Sequence, residues 1–94
     1  MEERILYKNF KQLIEEMPEI KGEHPLEELI TKVCDHYDIE LHSFHEVFNP
    51  ITAVQMGKGK YFNGKHEGKE GLFLAFIGAE FNGSSIQVIY NPQT

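Results

Sequence analysis

The sequence predicts an α+β fold, with two N-terminal helices packed on one face of a mainly antiparallel, meander-type sheet of three to five strands. Three observations predict it. Apolar residues recur at spacings of three and four through 3–17 and 26–37, and from Ile51 onward the period changes to two. Two Asn-Gly dipeptides, 63–64 and 82–83, offer positive-φ hairpin turns in that second half. A chain of 94 residues suits one domain spanning 1–94, with a helical half at 1–38 and a sheet half at 39–94.

The first helix is expected over 3–17. Leu6, Phe10, Leu13, Ile14 and Met17 form its apolar stripe, and Lys8, Lys11, Glu15 and Glu16 take the other side. Pro18 disfavours helical geometry at Met17 and stops it. A second helix is expected from Pro25, since proline is tolerated in the first turn, where Glu27 and Glu28 also suit the helix dipole. Its stripe is Leu26, Leu29, Ile30, Val33 and Tyr37, and it ends near 35–38. Residues 39–42 read as a short strand. Ser43 and Glu46 stand at capping-box spacing, so 43–48 reads as a turn or short helix before Pro50.

Three further strands are expected at 51–56, 72–81 and 86–90. Tight turns at both Asn-Gly sites set a register. Phe62 then opposes Lys65, Val54 opposes Phe73, Ala79 opposes Ile86, Ile77 opposes Val88, and Ala75 opposes Tyr90. One face then carries Val54, Met56, Phe73, Ala75, Ile77, Phe81, Ile86, Val88 and Tyr90, a coherent core face for the helices to cover.

The reverse face is the informative one. It carries Ile51, Ala53, Leu72, Leu74, Phe76 and Ile89, with Gln55, Glu80 and Gln87 toward the rim. A sheet with one wet side normally alternates apolar with polar residues, yet 72–77 is apolar throughout. A chain this short buries only roughly 60–65 per cent of its unfolded surface, so its helices are expected to cover one face and not two. Ile51, Leu72, Leu74, Phe76 and Ile89 are therefore the expected partner-binding residues, with a two-fold homodimer as the first form of partner. The alternative is that 39–50 folds over this face, or that one helix packs on each side.

Composition narrows the function classes. Lys and Arg total 9 against 15 for Asp and Glu, a formal charge of −6, which disfavours binding to duplex nucleic acid. Residues 1–50 carry −7 and residues 51–94 carry +1. The lone cysteine, Cys34, excludes an internal disulfide and fits a reducing compartment. The acidic start Met1-Glu2-Glu3-Arg4 does not read as a signal peptide, and no run approaches the ~18 apolar residues of a membrane span. A cytoplasmic protein without membrane partners is the expectation.

Two clusters could carry chemistry. The stretch 57–71 holds five glycines and four lysines, and Gly59 to Lys65 matches the Gly-x-x-x-x-Gly-Lys spacing of a phosphate-binding loop. His66 stands where that loop places Ser or Thr, and no helix follows, so the match reads as chance. Lys58, Lys60, Asn63, Lys65, His66 and Lys69 remain the candidates for holding a small anionic metabolite or nucleotide, against the plainer reading of a solvated hairpin. Tyr61 and Phe62 among those lysines also suit stacking on single-stranded bases, which the acidic remainder of the chain disfavours.

Cys34, His36, His42 and His45 are the metal-ligand candidates; their spacing resembles a zinc site only loosely, and helix-end histidines suit the dipole without metal. Enzymatic signatures are thin. Cys34 lies beside an apolar stripe, as a half-buried structural thiol does. Gly-x-Ser-x-Gly is absent, Ser84 and Ser85 read as hairpin residues, and no carboxylate sits inside an apolar run. The chain is expected to be a cofactor-free, non-enzymatic interaction domain of adaptor or inhibitor type.

Overall fold

The computed structural model describes residues 3–45, 59–80 and 83–93. The chain runs through strand β1 (Glu3–Asn9), helix α1 (Phe10–Glu16), a 3-10 turn (Pro18–Ile20) and helix α2 (Leu26–His36). Strands β2 (Glu40–Phe44), β3 (Gly59–His66), β4 (Lys69–Glu80) and β5 (Gly83–Pro92) follow. The five strands form one sheet in the order β1-β5-β4-β3-β2, with every neighbouring pair antiparallel. This is the predicted α+β class, with a β2–β5 meander joined by an additional N-terminal edge strand.

That edge strand corrects the first helix. Residues 3–9 pair with β5, Leu6 opposite Val88 and Tyr7 opposite Gln87, and the helix begins only at Phe10. Asn9 is the reason for the break. Its extended backbone ends the strand, and its side-chain oxygen accepts a 2.8 Å hydrogen bond from the Lys11 N–H, capping α1. The sheet therefore draws on both ends of the chain, and the boundary between a helical half and a sheet half at residue 38 does not hold.

Helix α2 matches its expected span, with Pro25 as its cap and its carbonyl accepting from Leu29 N–H at 3.0 Å. At the far end Asp38 takes a left-handed φ of 59°, and Ile39 N–H donates to the Cys34 carbonyl at 2.9 Å. That long backward bond closes the helix and drops Ile39 into the core. Ser43 and Phe44 continue β2, so no helix begins there; 46–48 and the expected strand 51–56 lie outside the described residues.

Both expected hairpins exist with different turns. Asn63-Gly64 lies inside β3, and the chain reverses at Glu67-Gly68, whose φ values of 52° and 80° are those of a type I′ turn. Phe62 consequently pairs with Phe73, in place of Val54. In the last hairpin Glu80 pairs with Gly83, Ile77 with Ile86, Ala75 with Val88 and Phe73 with Tyr90. This register lies two residues from the expected one. A slip of two leaves every side chain on its own face, so the predicted faces of β4 and β5 survive among the described residues although the predicted partners do not, and Phe81 lies outside those residues.

The core lies between the helices and one sheet face. Leu13, Met17, Ile30, Val33 and Cys34 pack against Phe62, Phe73, Ala75, Ile86 and Val88, all at most 1 per cent exposed. Phe62 stacks on Phe73 with centroids 4.8 Å apart, and Tyr90 continues the row at 4.8 Å. A seam of polar contacts closes the open end. Lys8 of β1 reaches Glu16 at 3.3 Å, and Tyr37 donates to the same carboxylate at 3.0 Å, joining β1, α1 and the end of α2. The Tyr37 bond holds the Glu16 carboxyl below its ordinary value against the opposing effect of desolvation, with Lys8 adding to the lowering, and burial and Glu16 push the Tyr37 phenol up to about 12.

Candidate functional site

Both helices cover the same side of the sheet, as the core contacts require. β2 takes its place at the sheet edge and does not fold across the reverse face. Ladder parity then defines that face. Tyr61, Leu74, Ile89 and Arg4 stand in one row across β3, β4, β5 and β1. Leu72 stands between Asn63 and Asn91, and Phe76 between Gly59 and Gln87, with Tyr7 beyond Gln87 on β1.

Four of the five expected partner-binding residues thus lie together on the face opposite the helices. Leu72, Leu74, Phe76 and Ile89 are each half-buried and absent from the core cluster. Ile51 lies outside the described residues. A shallow depression of about 70 Å³ runs between Tyr61, Leu72, Leu74, Ile89 and Asn91. Tyr61 and Tyr7 are additions that the sequence reading missed. Tyr61 was hidden by the misplaced turn at Asn63-Gly64, and Tyr7 by the helical reading of residues 3–9. Tyr7 is 44 per cent exposed and lies under the Arg4 guanidinium, 4.7 Å from the ring centroid.

Polar groups ring this apolar centre. Arg4 donates to Gln87 at 3.3 Å. At the opposite corner Lys65 lies 3.8 Å from Glu70, and His42 Nε2 sits 3.3 Å from Glu40 and 3.5 Å from Glu70. Arg4 and Lys65 balance Glu40 and Glu70, so these four rim charges cancel on a chain whose formal charge is −6. The reverse face thus has an apolar centre, with these charged and amide groups at two of its corners.

The glycine-lysine stretch is ordered hairpin from Gly59 onward, and its basic groups do not converge. Lys60 faces the helices and pairs with Glu27 of α2 at 3.2 Å, whereas Lys65 is on the reverse face with Glu70. Lys69 is exposed beside the turn, and its carbonyl accepts from the Tyr90 hydroxyl at 3.0 Å. Asn63 is in mid-strand, and His66 packs its ring edge-on to Tyr90 at 5.4 Å. Lys58 lies outside the described residues.

The metal candidates are also apart. Cys34 faces the core, fully buried where a half-buried thiol was expected, and burial pushes its pKa up to about 12. His36 is exposed on α2 against the Tyr37 ring, His42 sits at the bulge in β2, and exposed His45 follows that strand. Among the described residues no three His, Cys, Asp or Glu side chains gather as a metal site, and no helix is long and apolar enough to cross a membrane.

Fold and surface together define a small α+β domain in which, among the described residues, both helices cover one sheet face and neither covers the other. Compared with known proteins, the chain matches no family model, no curated protein and no solved structure.

Proposed function

We propose that this chain is a non-enzymatic protein-interaction domain that assembles as a homodimer, two copies meeting through the helix-free sheet face. The observation that carries this reading is the row Tyr61–Leu74–Ile89 with Leu72 and Phe76 beside it, an apolar centre that neither helix covers.

A second copy is the occupant that the electrostatics favour. Most acidic side chains project from the helical side, where Glu15, Glu16, Glu19, Glu23, Glu27 and Glu28 are all exposed. Two chains of charge −6 repel least when they approach through the face away from those helical glutamates. Contact about a two-fold axis also uses each apolar side chain twice. Fully burying one Leu or Phe is worth about 1.5–3 kcal/mol, and these half-shielded ones contribute less each, so the doubling matters. Five strands of 5 to 12 residues, spaced ~4.8 Å apart and rising ~3.3 Å per residue, give a face of roughly 600 Å² in plan, the order of the ~800 Å² that a standard interface buries per partner.

The sheet edges are poorer candidates. Both edge strands carry a register irregularity, between Arg4 and Leu6 and between Leu41 and Ser43, and such bulges discourage strand addition. Multi-angle light scattering of the purified chain is the test. The expected mass is twice 10.9 kDa, and Leu74→Glu should return it to the single-chain value with the circular dichroism spectrum kept. A wild-type chain that stays monomeric at high micromolar concentration overturns the proposal.

A further inference from the structure

A second, independent feature lies on the helical side. Between α1, the 20–24 connection, the start of α2 and the hairpin end of β4–β5 is a cleft of about 590 Å³. That volume is within the range of about 300–1,000 Å³ typical of small-molecule sites. Its walls are Phe10, Ile14, Ile20, Leu29 and Ile77, of which Phe10, Ile14 and Ile77 are only partly buried. Helices of 7 and 11 residues leave this corner of the core incompletely filled.

The polar groups at the cleft have one chemical sense. Glu23 and His24 line it beside Gly22, and Ser84 closes the sheet side. His24 Nδ1 stands 3.7 Å from the Glu28 carboxylate. A carboxylate on that side favours the tautomer with its proton on Nδ1, which leaves Nε2 as a lone-pair acceptor. Nε2 is shielded from water and meets no hydrogen-bond partner among the described residues. A buried acceptor without a donor is costly, and a donor that reaches it recovers the loss. Glu23 and Glu28 disfavour an anionic head group and favour a cationic one.

We infer that this cleft is a binding site for a small organic amine: a compact apolar body against Phe10, Ile14 and Ile77, and an ammonium head that is attracted by Glu23 and receives the Nε2 lone pair once the His24 ring turns toward the cleft. It is separate from the docking face and stands whether or not the chain dimerises.

The test is an NMR titration of the full-length, isotope-labelled chain with 1-naphthylmethylamine and its anionic counterpart 1-naphthoate. The amine is expected to shift the amides of Ile14, Ile20, His24 and Leu29 and to bind about tenfold more tightly than the naphthoate, a difference worth about 1.4 kcal/mol. Glu23→Gln, at an exposed position, and His24→Phe should each weaken the amine severalfold and leave or improve naphthoate binding. Equal affinity for the two probes overturns the amine assignment. No shift at the cleft with either probe at millimolar concentration overturns the site.

Discussion

Cys34 shows how packing sets chemistry at a single residue. Its thiol is shut between α2 and the sheet, and desolvation alone pushes its pKa from the ordinary 9.0 to about 12. The folded state therefore keeps a proton that the unfolded chain begins to lose near pH 9. Stability is independent of this group below about pH 9 and falls as pH rises from there toward 12, by at most ~1.4 kcal/mol per pH unit for one proton. Urea denaturation at half-unit steps from pH 8 to 11 should show that decline, and Cys34→Ala should flatten it; an equally steep decline in the variant would mean that another group is responsible. Tyr37, raised by burial and by Glu16, adds its own share only above pH 10. Gly64 makes a different point. It pairs with Gly71 across β3 and β4, and a side chain at Gly64 would overlap the Glu40 backbone carbonyl, as one at Gly71 would overlap the Tyr90 ring. Gly64→Ala should lower the unfolding midpoint and accelerate hydrogen exchange in β2, whereas Gly68→Ala, with open space around it, should act only through the strain of its positive φ.

At the level of elements, the same glycines explain which signals in the sequence could be read. Asn63-Gly64 has the composition of a hairpin turn, but Gly64 is there because another backbone comes close, the other common use of a glycine within a strand. The actual turn residue Glu67 carries no such signature and holds a φ of 52°, a region that favours Gly and Asn. Glu67→Asn is therefore expected to stabilise the domain by about 1 kcal/mol, since in the left-handed region a residue other than Gly, Asn or Asp costs roughly that much, and the Asn side chain relieves the cost by local hydrogen bonding. A raised urea midpoint with unchanged denaturant sensitivity would confirm it, and a fall would show that the Glu67 side chain makes a contact of greater worth. The N-terminal strand was legible in principle. Asn9 stands three residues before Gln12, at N-cap spacing directly ahead of an apolar stripe. The 3.6-residue period of Leu6, Phe10, Leu13 and Met17 obscured it, because Leu6 reaches the same core from a strand that the others reach from a helix. The fold class and the two faces of β4 and β5 depend only on parity and survived a register slip of two. The amine cleft was not legible, because its walls come from three separated stretches of chain.

For the whole molecule, the distribution of charge separates two ways in which an acidic domain can find a partner. If the exposed glutamates of α1 and α2 met a basic target, screening by salt would weaken the complex. Contact through the sheet face places those glutamates on the two outer sides of the assembly. The electrostatic effect on association is then the residual repulsion between two chains of −6, which salt diminishes, while apolar burial is little affected or strengthened. Sedimentation equilibrium at low and high sodium chloride should accordingly give a dimer dissociation constant that holds steady or falls as salt is raised. A constant that rises tenfold over the same range would place the contact on charged side chains, and the apolar row Tyr61–Leu74–Ile89 would then not be what joins the copies. Because folding and association are linked, the melting temperature should also rise with protein concentration, and Leu74→Glu should abolish that dependence.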